Sequence, residues 1–212
     1  KVLHFCSQDL GAFYLDVIKD RLYTANTDGN ARKSAQTAMY HITQSLVRLI
    51  APILTFTADE IWKSLGNEKH ILFEQYLEFP EWQAEGQLSD ADWSQISEIR
   101  QAVSKQLELL RVKGDIGSSL DADVSVYLPT DVLKTVASFG DELRFVLITS
   151  EAKGFDISEK PETAELLAMS FGDMAVAAKA AEGEKCARCW HIREDVGSVS
   201  GHEAICGRCV EN

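Results

Sequence analysis

Five cysteines occur in this 212-residue chain, and four of them fall in its last 27 residues. Cys186-Ala187-Arg188-Cys189 and Cys206-Gly207-Arg208-Cys209 are two C-x2-C pairs with sixteen residues between them. Each x2 turn aims two sulfurs at a shared point, so the pairs suit one Zn2+ held tetrahedrally by four thiolates. The intervening stretch is long enough for a β-hairpin but has almost no apolar core. In such a unit the metal must supply most of the folding free energy. A disulfide pair would need an oxidising compartment, which nothing in the chain suggests. A redox C-x-x-C would lie near a βαβ pattern and would not need a second pair. Iron–sulfur clusters normally use other cysteine spacings. Cys6, in an apolar-rich stretch, reads as a small core residue.

A metal-fixed clip of this kind would display Arg188, Trp190 and Arg208 at its tips. Two cations and an indole form a surface suited to gripping nucleic acid. The alternative for Trp190 is a hydrophobic lid on the metal site. For Arg208 it is a donor that steadies the second pair, and for the whole module it is a C-terminal closure that touches no ligand. His191 and His202 flank the cysteines, but four thiolates already complete a shell. Lys19, Arg21, Arg32 and Lys33 form the other basic cluster, around the polar break Thr27-Asp28-Gly29-Asn30. Solubilising charge paired with Asp16, Asp20 and Asp28 is the simpler account of them. No P-loop, G-x-G-x-x-G, G-x-S-x-G or H-E-x-x-H motif is present, and the Asp59/Glu60 pair fits helix capping better than acid–base work. The chain by itself does not look catalytic.

Net charge is −12, which argues against a polyanion partner until its distribution is considered. Residues 1–66 hold seven Lys/Arg against six Asp/Glu, residues 67–185 eleven against twenty-three, and residues 186–212 three against four. Acidity therefore concentrates in the middle and leaves both ends locally available to phosphate, whose attraction depends on potential within a Debye length. No apolar run reaches the ~18 residues of a membrane span. A chain with no leader pattern is expected in the cytoplasm, and one that starts at Lys1 is expected to be a piece of something longer.

The elements that must carry these residues are mainly helical. Leu10, Phe13, Tyr14, Val17, Ile18 and Leu22 share one helical face, with Ser7 as N-cap. Ala35, Met39, Ile42, Leu46, Leu49 and Ile50 mark a second helix that Pro52 ends. Thr57-Ala58-Asp59-Glu60 reads as a capping box opening a third helix, which stops at Gly66. Residues 67–92 read as an extended connector, and a further helix runs from about Trp93 to Val112. Val124, Val126 and Leu128 alternate as a strand, 131–139 look helical, and 144–148 and 175–180 read as strands. The expected organisation is an antiparallel helical bundle over 1–112, a small α+β subdomain over 113–181, and a zinc module over 182–212.

Several segments together resemble a known family. Phe13-Tyr14-Leu15-Asp16-Val17-Ile18-Lys19-Asp20-Arg21, Tyr40-His41-Ile42, and the run from Ala51-Pro52-Ile53 through Asp59-Glu60-Ile61-Trp62 are similar to the anticodon-binding helical domain of class I aminoacyl-tRNA synthetases. Gly140-Asp141-Glu142-Leu143-Arg144, Glu182-Gly183-Glu184-Lys185-Cys186 through His191, and Ile205-Cys206-Gly207-Arg208-Cys209-Val210 resemble the bacterial isoleucyl-tRNA synthetases within that class. The resemblance implies a mainly α anticodon-binding bundle followed by the α+β subdomain and a four-cysteine zinc module. It implies isoleucine tRNA as partner, read at its anticodon stem-loop, with Arg188 and Trp190 at the contact. It also implies that the H-I-G-H and K-M-S-K-S motifs and the editing centre, absent here, lie upstream in the same polypeptide. Ala187 departs from the family, where Pro is frequent. Two rivals remain: a DNA-repair glycosylase with a related zinc finger, though Lys1-Val2 is not its catalytic Pro-Glu start, and a zinc-ribbon interaction module belonging to no synthetase.

Overall fold

Ala122, Val124, Val126 and Leu128 are all buried, while the residues between them are half-exposed, and this alternation makes strand β1 (Ala122–Leu128) the centre of the one substantial sheet among the described residues. In this computed structural model residues 1–78 and 88–212 are described; the remainder of the expected connector, with Pro80, lies outside them. Contacts divide the chain into two units, Lys1–Ala25 with Gly86–Asn212, and Asn26–Glu85. The expected boundary at 112/113 therefore falls inside the first unit.

The first unit opens with a helix, α1, spanning residues 2–17, whose turns widen to i→i+5 over Phe5–Tyr14. A short helix α2 (Lys19–Tyr23) follows. Ser7 is not an N-cap. The helix already begins at Val2, and the Ser7 hydroxyl donates to the His4 carbonyl. After the connector, α3 (Asp90–Lys113) starts three residues earlier than expected, because Ser89 and Asp92 form a reciprocal capping box. It ends at Gly114, whose φ of 84° suits a residue without Cβ.

The chain then enters β1, helices α4 (Thr130–Ala137) and α5 (Leu143–Leu147), and strands β2 (Glu151–Asp156), β3 (Leu166–Met169) and β4 (Gly172–Ala180). The sheet order is β2-β1-β4-β3, with β1 parallel to β2 and antiparallel to β4. Ile99, Val103 and Leu107 of α3 pack with the buried residues of β1, Val132 and Val136 of α4, Leu143 and Leu147 of α5, and Met174 of β4. Residues 144–148 are not a strand. They complete α5, which stops at Ile148 in the left-handed region, φ 58°. The β-branched and aromatic content of that run suggested extended chain, but burial on all sides of a short helix uses the same residues. A two-strand ribbon, β5 (Glu184–Lys185) with β6 (Ile192–Arg193), and a last helix α6 (Gly207–Glu211) form the C-terminal module.

The second unit holds a long helix (Asn30–Ile50) and a shorter one (Thr55–Ser64) around Val47, Ala51, Ala58, Trp62 and Ile71. The expected capping box at Thr57 is absent, since the shorter helix begins two residues earlier. Asp59 instead accepts the Ile71 N–H and pairs with Lys63 at 2.7 Å. Arg48 lies 4.5 Å over the Trp62 ring. No helix among the described residues is long and apolar enough to cross a membrane.

Candidate metal centre and its surroundings

Two tight turns build the cysteine cluster. In the first, the Trp190 N–H donates to the Cys186 carbonyl at 2.9 Å; in the second, Cys209 and Val210 donate to Cys206. Cys186 N bonds the His191 carbonyl, and Ala187 N bonds the Ala204 carbonyl, so the turns face each other across the ribbon. All four cysteines are buried and their Sγ atoms lie within 4.8 Å of one another. Cys189 and Cys206 sulfurs are 3.8 Å apart. A tetrahedron with metal–sulfur bonds of about 2.3 Å has edges of about 3.8 Å, so the cage fits Zn2+; a disulfide would need about 2 Å.

Electrostatics point the same way. Burial alone would raise the Cys186 thiol, but backbone N–H groups of Cys189, Cys206 and Arg188 outweigh it and bring the thiol down to about 6. Burial and the neighbouring sulfurs push Cys189 and Cys209 up. Crowded sulfurs that cannot all ionise alone can do so around a divalent cation. The chemistry the metal supplies is structural, because four thiolates leave no open position. Gly183 before the cage has φ 116°, and a Cβ there would lie 2.6 Å from the Arg193 carbonyl, so the ribbon requires glycine at this point.

The module is fastened to the rest of its unit by both turn arginines. Arg188 donates from Nη1 to the Cys209 carbonyl at 2.7 Å and from Nη2 to the Thr24 carbonyl at 3.2 Å. Arg208 grips the Asp20 carboxylate with both Nη atoms, at 2.8 and 2.6 Å, and lies 5.3 Å over the Phe145 ring. Thr24 adds a hydroxyl to Asp20. Burial alone would raise Asp20, but the Arg208 and Thr24 hydrogen bonds win and hold its carboxyl below the usual range. A third fastening runs through Ser150, which accepts the Ile192 N–H at 2.6 Å and donates to the Leu120 carbonyl at 2.5 Å.

Trp190 points elsewhere. Its φ is 67°, it is 62% exposed, and the apolar side chains packed on the cysteines are Val196 and Ile205. The indole is thus displayed beside the metal cage rather than laid over it. His191 next to it is buried, with Nδ1 3.0 Å from the Cys189 carbonyl and its ring edge-on to Phe145. Burial, with Arg144 close by, pushes this imidazole down to about 4. Lys19 pairs with Asp16 at 2.6 Å and Arg21 with Glu142 at 2.6 Å, both in the first unit. Arg32 and Lys33 lie in the second unit, where Lys33 is 3.5 Å from Asp28. Sequence reasoning gave Arg144 no role of its own. A lone cation inside Leu143-Arg144-Phe145-Val146-Leu147 was the available signal, since a charge within an apolar run must be satisfied or used.

Comparison with known proteins supplies the family. The model of the anticodon-binding domain of tRNA ligase matches residues 1–127, and that of the zinc finger found in FPG and IleRS matches residues 183–212. The chain belongs to the tRNA ligase anticodon-binding family. The zinc finger alone is shared with the glycosylase rival; the anticodon-binding match over the first 127 residues is what decides. Nothing supports a zinc ribbon outside the synthetases. Relatives include an isoleucine–tRNA ligase of Chromobacterium violaceum, 47% identical over all of this chain and 22% of its own length. Those of Shewanella amazonensis and Neisseria meningitidis are 46% and 48% identical, again over all of this chain and 23% and 22% of theirs. This anticodon-binding chain thus spans less than a quarter of the relatives it matches.

Proposed function

We propose that this chain recognises the anticodon stem-loop of isoleucine tRNA, on behalf of an ATP-dependent isoleucine–tRNA ligase whose catalytic and editing centres lie in other domains of the polypeptide. The observation that carries the reading is the pairing, in one chain, of an anticodon-binding family match over residues 1–127 with a four-cysteine cage that holds an exposed indole. Anticodon bases are unpaired, can be splayed out, and stack on aromatic or guanidinium planes. Trp190 offers such a plane on a backbone fixed by the metal. Arg188 commits two donors to carbonyls, yet the residue remains exposed and its charge stays at the surface for phosphate or a base edge. Arg208 is committed to Asp20 and serves the fold. Lys19, Arg21, Arg32 and Lys33 contribute local positive potential and set register rather than sequence.

The test is competitive binding of the zinc-loaded chain to isoleucine tRNA and to the same tRNA with its anticodon replaced, at two salt concentrations. Loss on replacement that persists as salt rises is the expected result. Equal, salt-sensitive binding to both would reduce the interaction to charge attraction and sink the reading.

A further inference from the structure

Among the described residues only two other than glycine have a positive φ, Ile148 at 58° and Trp190 at 67°. β-Branched and bulky side chains rarely adopt that region, and such strain persists only where the surroundings over-determine the backbone. The two strained positions are tied to each other. Ser150, two residues after Ile148, accepts the N–H of Ile192, two residues after Trp190, at 2.6 Å. Phe145 joins the same two segments through side chains.

Phe145 lies on α5, whose Leu143 and Leu147 are buried in the sheet core. Two positions from each of them, Phe145 faces the other side of the helical turn, toward the zinc module. Its buried ring meets groups from both cysteine turns. The Arg208 guanidinium of the second turn lies 5.3 Å from the ring centroid, and the His191 ring stands edge-on to it at 5.6 Å and 89°. The neighbouring Arg144 guanidinium, 4.7 Å from the centroid, covers the ring further. Trp190 is fixed on its N-terminal side by the cage, through its N–H to the Cys186 carbonyl at 2.9 Å. On its C-terminal side the next residue, His191, is held by Nδ1 at 3.0 Å from the Cys189 carbonyl and by the Phe145 ring. Removing that ring takes away the wall behind His191 and lets the Trp190 backbone relax toward negative φ.

We propose that Phe145 is a positioning residue for RNA binding: without touching RNA, it holds His191 in place and so keeps the Trp190 indole turned outward for stacking. The role rests on the tRNA-binding reading above and adds to it a residue of α5 that sets the display.

The test uses the zinc-loaded 212-residue chain carrying 5-fluorotryptophan, with the Trp190 19F signal assigned from Trp190→Ala. Phe145→Leu keeps an apolar side chain on α5 and removes the ring. The expected result is a displaced or broadened Trp190 signal with zinc content unchanged. The Trp93 signal should stay in place, because that ring packs against Phe13 and Phe139 and reports on the rest of the unit. Phe145→Leu should also weaken an isoleucine anticodon stem-loop about fivefold, the lower end of what one base stack contributes. In a Trp190→Ala background the same change should cost nothing further, since the two act as one unit. If Phe145→Leu does not retain zinc, the 19F reading passes to His191→Asn, which keeps a donor for the Cys189 carbonyl and deletes the ring that meets Phe145. An unmoved Trp190 signal would overturn the proposal, as would equal weakening with and without Trp190. A displaced Trp190 signal in a chain whose parent does not bind the stem-loop would uphold the positioning and remove the tRNA reading.

Discussion

The two cysteine turns have the same sequence form, Cys-x-Arg-Cys, and the same burial of their sulfurs, yet they do different work. In the first, Arg188 reaches two carbonyl oxygens and stays exposed, and the residue after the turn, Trp190, is turned outward at positive φ. In the second, Arg208 forms a two-pronged pair with a carboxylate, over an aromatic ring, with side-chain exposures of 26% for Arg208 and 10% for Asp20. Both arginines land on the same short stretch, Asp20 and Thr24. The pairing with Asp20 removes one cation from the surface, and the weaker bonds to carbonyls leave the other there. Equal motifs thus separate into an anchor and a display.

Breaking both turns at once has the largest expected effect. Cys189→Ser opens the thiolate shell, which in small zinc units supplies about 10 kcal/mol or more of apparent folding energy. Metal content should fall from one equivalent, and amide protection should vanish over 183–212. Because both arginines anchor to α2 and the residue that follows it, protection at Lys19–Tyr23 should drop as well, while the β1–β4 core keeps its own. Unchanged protection in α2 would mean that the arginine contacts do not bear weight.

The anchor and the display separate next. Arg208→Met leaves the Asp20 carboxylate buried without its partner and should cost about 3 kcal/mol in urea unfolding. Arg188→Met should cost less than half of that, about 1 kcal/mol, because carbonyls can turn to water. The reverse order would erase the distinction. Trp190→Ala should retain one zinc and unfold like the parent, yet weaken stem-loop binding by about 1–3 kcal/mol. Loss of metal in that variant would restore the lid reading.

The smallest effect is expected far from the cage. Glu98 on α3 accepts the Ser170 hydroxyl at 2.6 Å and its N–H at 3.1 Å, and these bonds hold its carboxyl below the usual glutamate range. A depressed carboxylate contributes its stability fully above the unfolded value of about 4.3 and loses it as pH falls through the lower folded value. Glu98→Gln should therefore melt slightly lower at pH 7, and the difference should close on acidification below the ordinary glutamate range. A gap that persists in acid would show that the hydrogen bonds, rather than the charge, carry the effect.

Much of this was legible before any coordinates. The four ligands, β1 with its alternating valines, the break at Gly66, and the helices on either side are all written in short-range spacing. The misreadings were local as well. Ser7 and Thr57 look like caps, but α1 starts upstream of the first, and the helix containing the second starts two residues before it. Residues 144–148 look like a strand because composition does not separate a buried short helix from a buried strand. Arg144 and His191 each bury a nitrogen with no partner among the described residues, and no spacing rule encodes that.

By itself the sequence determined the metal cage, since two C-x2-C turns set sulfur geometry within four residues each, and it determined the family. Only the tertiary structure decided what the arginines inside those turns do. Arg208 meets Asp20 across 188 positions of chain and Arg188 meets Thr24 across 164. Whether a guanidinium is an anchor or a free cation depends on which partner the fold brings within about 3 Å. Identical Cys-x-Arg-Cys motifs carry no record of that.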